Sequence, residues 1–198
     1  MGVIGDLRRE LEGLNREILE APSVTRPSME VLRAFVANQL YIVPHDLKAL
    51  SHSMVKASDA LERRFVKALI DGDYQALQAL EELAAEVGVR FSYDRISPRA
   101  VAYTHFLQWL ALHGTMGDLA VAMTVNLPVW GENCSRLGRW AARAGVRATR
   151  FFDLFKGPWD ELEGTAEEIA SRYLDMERYR FVARAIQFYE REFWLAIA

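Results

Sequence analysis

The chain has 198 residues, 51% of them hydrophobic and 26% charged, enough for one globular domain with a substantial core. Twenty-four Lys and Arg against 27 Asp and Glu leave a formal net charge of −3, so no overall basic field exists to hold nucleic acid. The single cysteine, Cys134, excludes an internal disulfide, and no run approaches the roughly 18 apolar residues of a membrane span. The N-terminal stretch becomes charged within a few residues and lacks a signal peptide's apolar region, so the expected location is cytoplasmic.

Apolar residues recur at helical spacing almost throughout. The pattern predicts a first helix over about Gly5–Glu20 and a second over about Ser28–Lys56, with Ser28 as its cap and a kink at Pro44, whose ring removes a backbone donor. Ser58 or Asp59 caps a short helix ending at Asp71-Gly72. Asp73 is then read as the cap of a separate helix that stops at Gly88. A loop is expected over Val89–Ile96, and Ser97-Pro98 carries the start signal of a helix running to His113-Gly114. A long helix follows over about Met116–Ala144 with Pro128 inside it. Phe151–Trp159 reads as an aromatic bridge, and two last helices are predicted over about Thr165–Tyr173 and Glu177–Ile197. Short loops and the lack of a Gly/Ser/Pro linker predict one all-α domain over residues 1–198, a helical bundle with two long kinked helices.

The common catalytic signatures are missing: no Gly-rich phosphate loop, GxSxG elbow, HExxH or CxxC pair occurs. What remains is a set of polar and aromatic residues on otherwise apolar helix faces. They are Gln39 and Tyr41 with His45, Tyr103 with His105, Asn126 with Trp130 and Glu132, and Tyr189 with Glu190. Taken singly, each reads as the rim of a core with its polar tip satisfied.

Together they carry a resemblance. The stretches VANQLYIVPHDL, SPRAVAYTHFLQWLALHG, LAVAMTVNLPVWGENCSRL and FYEREFWLAIA, with the KGPW turn before the last, resemble in order and spacing the TenA family of the haem-oxygenase-like fold. The resemblance implies a helical bundle around a pocket for an aminopyrimidine used in thiamin salvage, and a homo-oligomer. In thiaminase II members of that family a cysteine attacks the pyrimidine, an aspartate holds its nitrogens, tyrosines line the pocket and a glutamate on the last helix moves protons. The glutamate matches Glu190, and the tyrosine of the AYT stretch matches Tyr103. The other positions depart from the family. Gln39 stands for the aspartate, Ile42 for the next pocket tyrosine, Asn126 for the nucleophile, Trp130 for the tyrosine one turn later, and Phe155 for the tyrosine of the aromatic bridge.

An amide cannot replace a thiolate nucleophile, which excludes cysteine chemistry at Asn126. Cys134 lies eight residues on, about 12 Å along a continuous helix, and reads as a small buried hydrophobe. Two functions stay open. One is binding with hydrolysis of an aminopyrimidine or thiamin breakdown product, with Glu190 as acid or base. The other is a non-catalytic ligand-binding or regulatory protein with the same pocket, which the amides Gln39 and Asn126 favour. A di-iron centre would draw on His45, His52, Glu81, Glu132, Asp153 and His105. No Glu-x-x-His pair accompanies them, so neither metal nor cofactor is expected. The recurring Arg136, Arg139, Arg143, Arg147 and Arg150 read as a solvated face, and no nucleic-acid partner is expected.

Overall fold

A computed structural model describes residues 2–198, and among them every regular element is helical. The N-terminal run forms two helices, α1 (Val3–Glu10) and α2 (Glu12–Leu19), rather than one continuous helix to Glu20. The break at the buried Leu11 lets α1 pack on the seventh and tenth helices while α2 turns toward the eighth and eleventh. A straight rod could not follow both surfaces. A short turn of helix, α3 (Pro22–Thr25), leads to α4 (Met29–Lys56), where the Val31 amide donates to the Ser28 hydroxyl at 3.2 Å as the cap. Pro44 sits inside α4 without interrupting it.

The next segment corrects the sequence reading. One helix, α5 (Ala60–Val87), runs through Gly72, and Asp73 caps nothing. Asp59 is the cap, accepting from the Glu62 amide at 3.0 Å, and Gly88 ends the helix in the left-handed conformation at φ 71°. A helix-interior glycine costs only about 1 kcal/mol. The buried stripe Val66, Leu69, Ala76, Leu80, Leu83 and Val87 keeps helical phase across Gly72 and outweighs that cost. After a loop containing a 3₁₀ turn at Tyr93–Arg95, α6 (Ala102–His113) starts later than Ser97-Pro98 suggests. Instead of capping a helix, Ser97 donates its amide to the Asn38 side chain at 2.9 Å.

The second long helix is also divided. Helices α7 (Met116–Val125) and α8 (Leu127–Arg143) meet at Asn126. Pro128 has no N–H to give the Thr124 carbonyl four residues back. The Arg8 guanidinium supplies a donor to that carbonyl and bonds Val125 O at 3.3 Å, while pairing with Glu163 at 2.7 Å. The chain closes with α9 (Arg150–Asp153), α10 (Asp160–Arg172) and α11 (Met176–Ala196). Helix α10 begins five residues before the predicted Thr165, where Asp160, Glu161 and Glu163 complement the positive end of its dipole.

Helix α4 packs on α5 and α6, while α11 packs on α6 and α7. Between them Phe35 is ringed by Trp130, Phe151, Phe152, Phe193 and Trp194 at centroid distances of 5.4 to 6.0 Å. This aromatic block is the rigid floor against which the site is built.

Candidate functional site

A partly open cavity with about 660 Å³ of empty space lies between α4, α5, α6, the α7–α8 joint and α11. Helix α4 contributes Gln39, Ile42, Val43 and Asp46, whose three- and four-residue spacing puts them on one face. Asp73 enters from α5, Tyr103 from α6, Met123 and Leu127 from either side of the joint, and Asn126 from the joint itself. Trp130, Phe155, Phe193 and Glu190 complete the wall. The cavity therefore gathers Gln39, Ile42, Tyr103, Asn126, Trp130, Phe155 and Glu190, the positions singled out from sequence.

Glu190 is 2% exposed. Its Oε2 accepts from Asn126 Nδ2 at 3.0 Å and its Oε1 from Trp194 Nε1 at 3.4 Å. Burial pushes its pKa up to about 8, although both hydrogen bonds favour the ionised form and oppose that rise. Near neutral pH the group is therefore mainly a protonated acid whose proton is available to a ligand. Asn126 is held by the same bond, at the joint where α7 gives way to α8. Tyr103 has its phenol pushed up by burial and then by the charges of Asp46, Asp73 and Glu190, so it stays a neutral hydroxyl among three carboxyl groups.

Two close approaches shape the aromatic wall. A Cβ on Gly131 would collide with the Phe155 carbonyl and the Trp159 ring, so this glycine lets the bridge after α9 lie against α8. Trp130 and Phe155 then meet edge to face at 5.7 Å. Cys134 is fully buried in the core, does not line the cavity, and has its thiol pushed up by burial and by Glu190. A thiol so placed is a poor nucleophile.

Other sequence candidates lie elsewhere. Tyr41 stacks on His45 and bonds His105 Nε2 at 3.0 Å on an exposed surface. Glu132 pairs with Arg136 at 2.7 Å, and Tyr189 joins a surface aromatic group with Phe106. His52 contacts Gln108, and Asp153 pairs with Lys156. Among the described residues no three His, Cys, Asp or Glu side chains form a metal-holding group, and no helix is long and apolar enough to cross a membrane. The arginine series is largely answered by acids from other turns: Arg136 and Arg139 by Glu132, Arg147 by Glu86, Arg150 by Glu82.

Sequence reasoning missed Asp46 and Asp73. Both stand in phase with buried stripes: Asp46 follows Phe35, Gln39 and Ile42, and Asp73 falls between Leu69 and Ala76. A carboxylate at an apolar stripe position was the available signal. The false helix boundary at Gly72 hid it.

The family model described as TENA/THI-4/PQQC matches residues 22–197. Three solved structures share the fold at low identity. A TenA homologue from Pyrococcus furiosus has 20% identity and a TM-score of 0.80, covering 99% of this chain and 100% of its own. A TenA homologue from Pseudomonas syringae pv. tomato has 12% identity and a TM-score of 0.77, covering 96% and 90%. A Silicibacter protein described as a TenA family transcription regulator has 16% identity and a TM-score of 0.72, covering 98% and 96%. No curated protein matches the sequence significantly.

Proposed function

The chain belongs to the TENA/THI-4/PQQC family, and from that premise we propose that it binds an aminopyrimidine or related thiamin breakdown product and hydrolyses it without a cysteine nucleophile. The observation that carries this reading is the Glu190–Asn126 pair, bonded at 3.0 Å on the wall of a partly open, mostly apolar cavity that Cys134 does not line. In the proposed reaction the water oxygen replaces the leaving amine on the carbon that bears it, the C–O bond forming as the C–N bond breaks. Glu190 gives its proton to the departing nitrogen and is reprotonated by the proton that water loses. Trp130, Phe155 and Phe193 offer apolar faces to the heterocycle, while Gln39, Asn126 and Tyr103 offer hydrogen bonds to its edge. The proposed chemistry needs only water and Glu190, with no metal or cofactor.

A second reading is favoured by one specific observation. Two positions that would carry an ionisable group in a thiaminase II are the amides Gln39 and Asn126, which suit recognition of a neutral edge. On that reading the protein is a non-catalytic ligand-binding or regulatory protein. Release of ammonia or amine from a 5-aminomethyl-4-aminopyrimidine separates the two readings. Turnover above background supports hydrolysis. Saturable binding by calorimetry without release supports the binder, and no binding at all overturns both.

We further read the whole chain as one cytoplasmic, TenA-like domain that assembles with copies of itself. Support for assembly comes from α6 and α11, where Phe106, Trp109 and Phe181 form an aromatic group whose Trp109 and Phe181 are exposed, beside exposed Leu112 and Phe188. Apolar surface of this kind is what protein interfaces cover.

A further inference from the structure

The cavity is acidic at the end formed by α4 and α5. Asp46 is 7% exposed, and one of its oxygens bonds the Thr104 hydroxyl. Asp73 faces the same space, and its Oδ2 is enclosed with no hydrogen-bond partner. With Glu190, three carboxyl groups line the cavity, and among the described residues no Lys, Arg or His lines it. Gln39, only 3% exposed, also lines the cavity and bonds nothing through its side-chain amide among the described residues. Buried polar groups are normally satisfied, so a free amide beside an unanswered acid pair marks a place where a ligand supplies the missing partners.

We propose that Asp46 and Asp73 are the charge-selecting residues of this cavity and that the ligand is a nitrogen cation with adjacent N–H donors, such as an amidinium or a protonated aminopyrimidine. Two neighbouring carboxyls, one buried and one with an enclosed oxygen, do not readily both ionise without a countercharge. Burial raises both, and the charge of Asp73 raises Asp46 further, so the empty pair retains a proton. A planar cation with two parallel N–H groups matches carboxylate geometry and replaces that proton. A divalent metal fits poorly, since two carboxylates fall short of the oxygen set that calcium requires.

The inference rests on the cavity being the ligand site, and the test separates the two. Benzamidinium and benzamide have the same outline and differ in charge. Titrated calorimetrically into wild type, benzamidinium should bind at least tenfold more tightly. Its binding should release protons to the buffer, seen as a dependence of the heat on buffer ionisation. The titratable groups facing the ligand are Asp46 from α4, Asp73 from α5, Tyr103 from α6 and Glu190 from α11. Asp73→Asn should erase both the preference and the proton release, and Asp46→Asn should do the same. Neither variant should unfold, because each removes a buried carboxyl without a countercharge, and melting curves should show equal or higher midpoints. Equal affinity for the two probes in wild type, or a preference that survives both variants, overturns the proposal. A 4-aminopyrimidine titrated in parallel tests the broader reading. If it fails to bind while benzamidinium is still selected through Asp73, the functional reading falls and the acid pair stands. If it binds wild type and both variants alike, the acid pair falls and the functional reading stands.

Discussion

The cavity and the arginine ridge on α8 and beyond carry charge in opposite ways. On the ridge Arg136, Arg139, Arg147 and Arg150 are exposed or half-exposed and each finds an acid within 4.0 Å. In the cavity Asp46 and Glu190 are buried, Asp73 is half-buried with one oxygen enclosed, and among the described residues no basic side chain lines the space with them. Paired charge at a surface is worth little, about 0–1 kcal/mol, and needs no function to explain it. Carboxyl groups gathered in a cavity without a countercharge oppose folding once ionised and persist where a ligand needs them.

The contrast is broken most severely at Glu190. Glu190→Gln keeps one acceptor oxygen, so its amide oxygen can hold the Trp194 N–H while its NH2 donates to an Asn126 amide turned over to present its oxygen, and it removes the transferable proton. Turnover is expected to fall roughly 10²–10⁴-fold with binding of the aminopyrimidine nearly unchanged. An equal loss of binding would make Glu190 a recognition group instead. The same variant reads out in stability. A carboxyl whose pKa rises from 4.5 unfolded to about 8 folded keeps its proton longer in the folded state. Its stabilising effect is full below about pH 4.5 and is lost as pH rises through about 8. Wild type should therefore melt lower at pH 8 than at pH 5. In Glu190→Gln the slope should be shallower but still present, because Asp46 and Asp73 lean the same way. An unchanged slope would assign the pH dependence to the acid pair alone.

The aromatic side of the cavity is tested next. Gly131→Ala places a methyl group against the Phe155 carbonyl and should cost about 1–3 kcal/mol by overpacking. Because Phe155 lines the cavity, ligand affinity should weaken along with the melting temperature. Unaltered affinity would show that the bridge is not part of the recognition surface. A smaller effect is expected at Cys134, where Cys134→Ala removes a buried sulfur for about 1 kcal/mol and leaves turnover intact. Loss of activity in that variant, or on iodoacetamide treatment of wild type, would reinstate thiol chemistry. The smallest effect belongs to the ridge. Arg143→Glu should change stability by less than about 0.5 kcal/mol and leave turnover unchanged. A salt-dependent affinity for duplex DNA that this variant abolishes would overturn the reading of the ridge as a solvated surface.

Helix content was legible because apolar residues recur at helical spacing along nearly the whole chain, and caps such as Ser28 and Asp59 act locally. Breaks were less legible. Gly72 looks like a boundary and is not one, whereas Asn126 looks like helix interior and is a joint. In both cases distant groups decide: the α5 core stripe carries the helix through Gly72, and Arg8, more than 100 residues away, stabilises the break beside Pro128.

The sequence by itself determined the all-α class and the family likeness, since these depend on residue identity and local periodicity. Only the tertiary structure decided which polar residues share one space. It left Tyr41, His45, Glu132 and Tyr189 outside the cavity and brought Asp46 and Asp73 into it. The reason is physical. Whether a carboxyl meets water, an arginine or another carboxyl depends on the packing of helices far apart in the chain, and that packing sets whether its charge is screened, paired or left for a ligand.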